Sequence, residues 1–180
     1  KLGTIETELA SMRDQVEKSI LLCGVAITFL RPGNASADEL LEVLERLSEG
    51  ADDPRDIVQA AQAFYVMERF GQAADLYGRI STLGVDTEPL RKWLLSLFHA
   101  DRRKEARELF ERLPAAIRSL PGYLEIGAAI YERAGRLGDA RDLMEQLLVA
   151  VPDDLDKRIE WLSILERLGE SDAGAAWLSA

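Results

Sequence analysis

Three registers with one period constrain this 180-residue chain more than any other feature. A small residue recurs at Ala73, Ala106, Ala140 and Gly174, in steps of 33, 34 and 34. Four residues after each stands a bulky one: Tyr77, Phe110, Met144 and Leu178. A separate register, Phe64, Leu97, Tyr131 and Leu165, keeps the same steps. Residues 122–154 show what one period contains. Leu124, Ala128 and Tyr131 share a face of one helix, and Ala140, Leu143, Met144 and Leu147 share a face of a second. Gly135 and Gly138 mark the turn between them, and Pro152 closes the unit. A helix pair this short cannot bury its apolar stripe alone, so consecutive units must stack.

The neighbouring units follow the same plan. From Pro54, Ile57, Ala60, Ala61 and Phe64 face inward, then Ala73, Leu76, Tyr77 and Ile80, with a turn at 69–72. Next come Leu90, Trp93, Leu94 and Leu97, a turn at 101–104, then Ala106, Leu109, Phe110 and Leu113. The last unit has Trp161, Leu162 and Leu165, a turn at Gly169, then Gly174 and Leu178. This pattern resembles the tetratricopeptide repeat family, over 54–180 and in degenerate form over 19–50. The resemblance implies an all-α fold, a right-handed α-solenoid of antiparallel helix pairs. Repeats are expected at 54–86, 87–120, 121–154 and, incomplete, 155–180, after a long N-terminal helix and a second helix in 1–53. The sequence departs from the family pattern in places. Val85 and Arg118 stand where Pro152 has its closing proline, and Ile57, Leu90, Leu124 and Arg158 replace the opening aromatic. Two prolines between Leu113 and Pro121 predict an irregular turn. The absence of a polar capping helix before Ala180 leads us to expect more chain beyond it.

Residues 2–31 read as one helix. Leu2, Ile5, Leu9, Met12 and Val16 form a heptad-like seam that continues through Ser19, Cys23, Ala26 and Leu30. Two readings stand: a stripe packed on the chain's own core, or a surface for self-association. The residues 31–34, Arg-Pro-Gly-Asn, end this helix, and Ser36 with Glu39 gives a capping-box signature for the next. Leu40, Leu41, Leu44 and Leu47 form that helix's apolar face.

Charge and composition narrow the function classes. The formal net charge of −10 disfavours nucleic acid and anionic lipid, both of which call for a basic surface. The longest apolar run, Ile20 to Leu30, is 11 residues, too short to span a bilayer. A single cysteine, Cys23, excludes an intrachain disulfide, and a cytoplasmic location is expected, with a leader or anchor before Lys1 left open.

Catalytic chemistry finds no footing. One histidine, His99, stands without a nearby cysteine, so no zinc-site pattern exists. Cys23 sits on an apolar helix face and reads as a small buried hydrophobe. The acid clusters Asp52, Asp53, Asp56 and Asp153, Asp154, Asp156 precede helices, where capping explains them. The Gly135–Asp139 stretch lacks a phosphate-loop ending. No enzyme, cofactor or metal is expected.

The resemblance instead implies an interaction scaffold or adaptor, whose first helices line a concave surface. The inner positions are Arg55, Val58, Gln62, Tyr65, Val66 and Arg69 in the first clear unit, and Arg91, Leu95, Phe98, His99 and Arg102 in the second. In the third they are Glu125, Ala129, Glu132, Arg133 and Arg136, and in the fourth Ile159, Ser163, Glu166 and Arg167. Tyr65, Val66, Leu95 and Phe98 would form an apolar patch rimmed by Arg and Glu, suited to an amphipathic partner segment. The alternative is that Leu95 and Phe98 pack on adjacent helices. Chaperone-binding members clamp a carboxylate with Lys and Asn at positions held here by Val58, Gln62, Arg91, Leu95, Glu125 and Ala129, so that role is disfavoured. The rival function is a structural assembly component, of a secretion or polysaccharide-export machine for example, that oligomerises or docks through the 2–16 seam.

Overall fold

The structure, a computed structural model, describes residues 41, 44, 45, 48, 53–80, 87–170 and 172. Within them lie eight helices: α1 (Pro54–Val66), α2 (Phe70–Arg79), α3 (Thr87–His99), α4 (Arg103–Arg112), α5 (Ala115–Arg118), α6 (Pro121–Arg133), α7 (Leu137–Ala150) and α8 (Leu155–Leu168). No strand occurs among the described residues. The architecture is all-α, a helical-repeat fold of antiparallel helix pairs. The 2–16 seam, Cys23 and the Ser36–Glu39 cap lie outside the described residues, as do Gly174 and Leu178.

The turn within each pair has one geometry. Glu68 and Asp101 have φ near +57° and +56°, and Gly135 and Gly169 have +74° and +76°. At the first of these, Glu68 N–H donates to the Tyr65 carbonyl at 3.0 Å and Arg69 N–H to the Phe64 carbonyl at 2.9 Å. This is a Schellman cap, in which a left-handed residue folds the chain back onto the orphan carbonyls of the helix it leaves. The pattern recurs at Asp101–Arg102, Gly135–Arg136 and Gly169–Glu170. The second residue of each turn then opens the next helix. The carbonyls of Arg69, Arg102 and Arg136 accept from Ala73, Ala106 and Ala140 at 3.0, 3.0 and 3.1 Å. The turn therefore ends earlier than the expected 69–72 and 101–104. Phe70, Gly71 and Gln72 belong to α2, and Gly138 belongs to α7.

The chain divides into two compact units, 1–96 and 97–180, with the boundary inside α3. In the first, α1 packs on α2. Ile57, Ala60, Ala61, Phe64, Ala73, Leu76, Tyr77 and Ile80 form the core with Leu44, and Leu41 and Trp93 pack against it half-buried. The helical residues near 44 are tied to α2 by two hydrogen bonds. Gln72 Nε2 donates to Glu45 Oε1 at 2.7 Å, and Arg79 donates to the Ser48 carbonyl at 2.8 Å. Ser96 is fully buried, and its hydroxyl is satisfied by the Lys92 carbonyl at 2.7 Å.

In the second unit α6 contacts α4, α5 and α7, and α7 contacts α8. With neighbours on several sides, α6 buries Tyr123, Ile126 and Ile130 as well as the expected Leu124, Ala128 and Tyr131. Phe110 meets Tyr131 edge to face at 5.8 Å, and Leu143 is half-buried. Gly127 is demanded here: a Cβ on it would lie 2.3 Å from a Phe110 ring carbon. The irregular connection after α4 contains the short helix α5, with Pro114 as its N-cap and Pro121 opening α6. Asp53 caps α1 through Arg55 N–H at 2.8 Å, and Asp154 caps α8 through Lys157 N–H at 3.1 Å.

Two substitutions test this packing. Gly127→Ala forces its methyl into the Phe110 ring and should cost about 1–3 kcal/mol in chemical denaturation. A neutral result would show that the helices separate more easily than the geometry states. Glu68→Gly removes a side chain from a left-handed site and should stabilise by about 0.5–1 kcal/mol, because the roughly 1–2 kcal/mol steric penalty is partly offset by glycine's entropy. A lowered denaturation midpoint would count against the turn geometry.

Candidate partner-binding surface

Most of the expected inner positions lie on the first helices α1, α3, α6 and α8, whereas Arg69, Arg102 and Arg136 lie in the turns and cap the second helices. In the first unit, Gln62, Tyr65 and Val66 share one end of α1 through three- and four-residue spacing. Arg55 starts the same helix, about 16 Å away along its axis at 1.5 Å per residue. Arg55 is thus not brought together with Val66. Tyr65 is half-buried and Val66 is 50% exposed. The Tyr65 ring meets Phe70 edge to face at 5.5 Å, across the turn between α1 and α2. Burial raises the Tyr65 phenol pKa, the nearby Arg91 opposes the rise, and Glu88 adds to it.

Arg91 and Leu95 are half-buried on α3. Arg91 Nε donates to Glu88 at 3.3 Å, so the structure groups Tyr65, Arg91 and Glu88. Glu88 did not figure among the sequence-derived site residues, although its three-residue spacing to Arg91 is a legible signal.

The second unit holds a tighter cluster. The Arg133 guanidinium stacks 3.7 Å from the Phe98 ring centroid and also donates to the Phe98 carbonyl at 2.9 Å. That carbonyl belongs to the last turn of α3, where the helix dipole favours a cation. Stacking and hydrogen bonding therefore hold Arg133 in one place. His99 is exposed and meets Phe98 edge to face at 5.5 Å. Arg103 extends the cluster, donating to the Arg133 carbonyl at 3.4 Å and pairing with Asp101 at 2.7 Å. The Arg103 hydrogen bond lowers the Asp101 carboxyl pKa. Glu132 pairs with Arg167 of α8. Phe98, His99 and Arg133 are thus brought together. The Phe98 ring is half-buried with a guanidinium on its face, a different environment from the open apolar patch the sequence suggests.

The chemistry these groups offer is that of aromatic rings, guanidinium groups and helix-end carbonyls. Among the described residues no group of three His, Cys, Asp or Glu stands together in a metal-ligating arrangement. No helix among them is long and apolar enough to cross a membrane.

No protein-family model matches the chain, and no curated protein matches it in sequence. Solved structures do match in fold. The fragment of MamA from residue 41 to its end, from Desulfovibrio magneticus RS-1, superposes with a TM-score of 0.67 at 16% identity, covering 90% of this chain and 92% of that one. The MamA RS-1 ArsTM double mutant gives 0.67 at 15% identity, covering 90% and 91%. At this identity the likeness concerns the fold alone: the chain has the helical-repeat, TPR-like architecture of these structures.

Proposed function

We propose that the protein is a non-enzymatic interaction scaffold of the tetratricopeptide type, which binds an amphipathic segment of a partner protein on its first helices. The observation that carries this reading is where unburied apolar side chains stand. Five large apolar residues are exposed among the described ones, and Val66 and Ile159 are two of them. Both occupy first-helix positions that the repeat pattern assigns to the binding surface. Next to Val66 in the chain is the half-buried Tyr65, whose phenol feels the charges of the Arg91–Glu88 pair. That combination suits a helix laid in a groove, whose apolar face buries against the rings while its polar edges meet the rim. Aromatic and arginine side chains supply such contacts at low entropic cost.

Val66→Asp tests the reading. The side chain is exposed, so the fold tolerates the charge, and helicity should match the wild type by circular dichroism. Capture of partner protein from native extract on the immobilised variant should fall at least about tenfold, the effect of losing an anchor worth roughly 1.4 kcal/mol or more. Equal capture by both proteins would remove the first-helix surface from consideration.

A further inference from the structure

A cavity in the second unit has the character of a separate site. It is a half-open cleft of about 320 Å³ lined from α4, α5, α6 and α7. Phe110 and Leu143 supply apolar wall; Arg118, Ser119, Tyr131 and Gln146 supply polar groups. Arg118 Nε is shielded from solvent and has no hydrogen-bond partner among the described residues. A buried donor of this kind marks a place where an acceptor belongs. Arg107 Nε, on α4, is likewise shielded without a hydrogen-bond partner among the described residues. Glu111 takes Arg136 at 2.9 Å and Arg107 at 3.9 Å, and Arg136 also holds Asp139 at 2.8 Å. Two arginines, Arg118 and Arg136, and two carboxylates, Glu111 and Asp139, act on Tyr131, and both carboxylates are engaged by Arg136.

The backbone holds Arg118 at the cavity. Arg118 ends α5, whose start is set by Pro114, and Pro121 fixes the entry to α6 three residues later. The Ser119 hydroxyl donates to the Ala116 carbonyl at 3.2 Å, so its proton is committed and donation into the cavity falls to Arg118 and Tyr131. The Tyr131 hydroxyl reaches Glu111 only at 3.5 Å, a long contact that a better acceptor could replace.

We propose that this cavity binds a carboxylate side chain carried beside apolar residues on a peptide segment. The guanidinium of Arg118 takes the carboxylate, the Tyr131 hydroxyl adds a second donor, and Phe110 and Leu143 take the flanking apolar group. The volume lies at the lower end of the roughly 300–1,000 Å³ that encloses a small ligand, enough for an acidic side chain and its neighbour. The overall negative charge repels free anions at long range, so the occupant must bring apolar contact as well as charge. The site is independent of the first-helix surface, and it uses none of the positions of the carboxylate clamp considered above.

The test is amide and arginine Nε–H nuclear magnetic resonance titration with three probes: acetyl-Leu-Asp-Leu-amide, acetyl-Leu-Asn-Leu-amide and acetate. The Asp peptide should saturably shift the Arg118 Nε–H and the Ser119 and Gln146 amides, with a Kd at least tenfold below that of the Asn peptide. Arg118→Gln should abolish that preference, while Val66→Asp should keep it. Equal binding of the two peptides to the wild type overturns the proposal and needs no variant to fold. Retained preference in folded Arg118→Gln overturns it too. Acetate binding as tightly as the Asp peptide overturns the peptide as occupant and makes the cavity a site for free carboxylates.

Discussion

The backbone hydrogen bond that closes each helix pair sets the geometry on which the other contacts depend. Arg69 N–H reaches back to Phe64, Arg102 to Leu97, Arg136 to Tyr131 and Glu170 to Leu165, each at 2.9 Å. In the first three turns the carbonyl of the same residue starts the next helix. One residue thus ends one helix and begins another, so the connection has no slack and the pair must run antiparallel. The spacing from Phe64 to Ala73 is nine, and it stays nine from Leu97 to Ala106, Tyr131 to Ala140 and Leu165 to Gly174. The change of period from 33 to 34 therefore falls between the small residue of one pair and the first-helix register of the next. A left-handed residue is what this turn costs the chain, and glycine meets it at 135 and 169 while Glu68 and Asp101 bear the strain.

The arginines at these junctions explain how an acidic chain keeps its helix ends in order. At Arg102 and Arg136 the side chain gives no backbone cap. It bonds instead to a carboxylate three residues on, Glu105 at 2.6 Å and Asp139 at 2.8 Å. Arg141 does similar work between α7 and the turn after α8, meeting Glu170 at 2.8 Å. Exposed pairs of this kind contribute only about 0–1 kcal/mol each. Stability must then come from the buried rings and alanines, and the ion pairs serve to hold register. Gly127 illustrates the division: removing a side chain at that point lets Phe110 lie against the α6 backbone, a contact no surface pair could replace.

The parts of the fold legible in the sequence are those governed by repetition. Ala73, Ala106 and Ala140 are almost fully buried, as are Tyr77, Phe110 and Met144 four residues later. Asp53 and Asp154 cap helices as their position before Pro54 and Leu155 implies. The turns lie earlier than the glycines suggest: Gly71 and Gly138 look like breakers, whereas the left-handed residue at the first two turns is Glu68 or Asp101, which carries no glycine signal. Tyr123, Ile126 and Ile130 lie off the single amphipathic stripe of Leu124, Ala128 and Tyr131. A helix with neighbours on several sides buries more than one stripe, and nothing local in its sequence says how many neighbours it has.

The candidate surface was less legible for a related reason. Helical spacing puts Phe98 on an outward face, but whether its ring is open depends on a residue 35 positions away. Arg133 is drawn there by two attractions that coincide, the ring's π face and the negative end of α3. Arg118 shows the same dependence in reverse. In sequence it is a substitution for a closing proline, unremarkable at the end of a repeat. Only the packing of α4, α6 and α7 around α5 encloses its Nε and leaves that donor without an acceptor. Arg118 ends α5, and the irregular connection gives its side chain a cavity to face. In a repeat protein the regular positions are committed to stacking, so individuality concentrates in the connections between pairs.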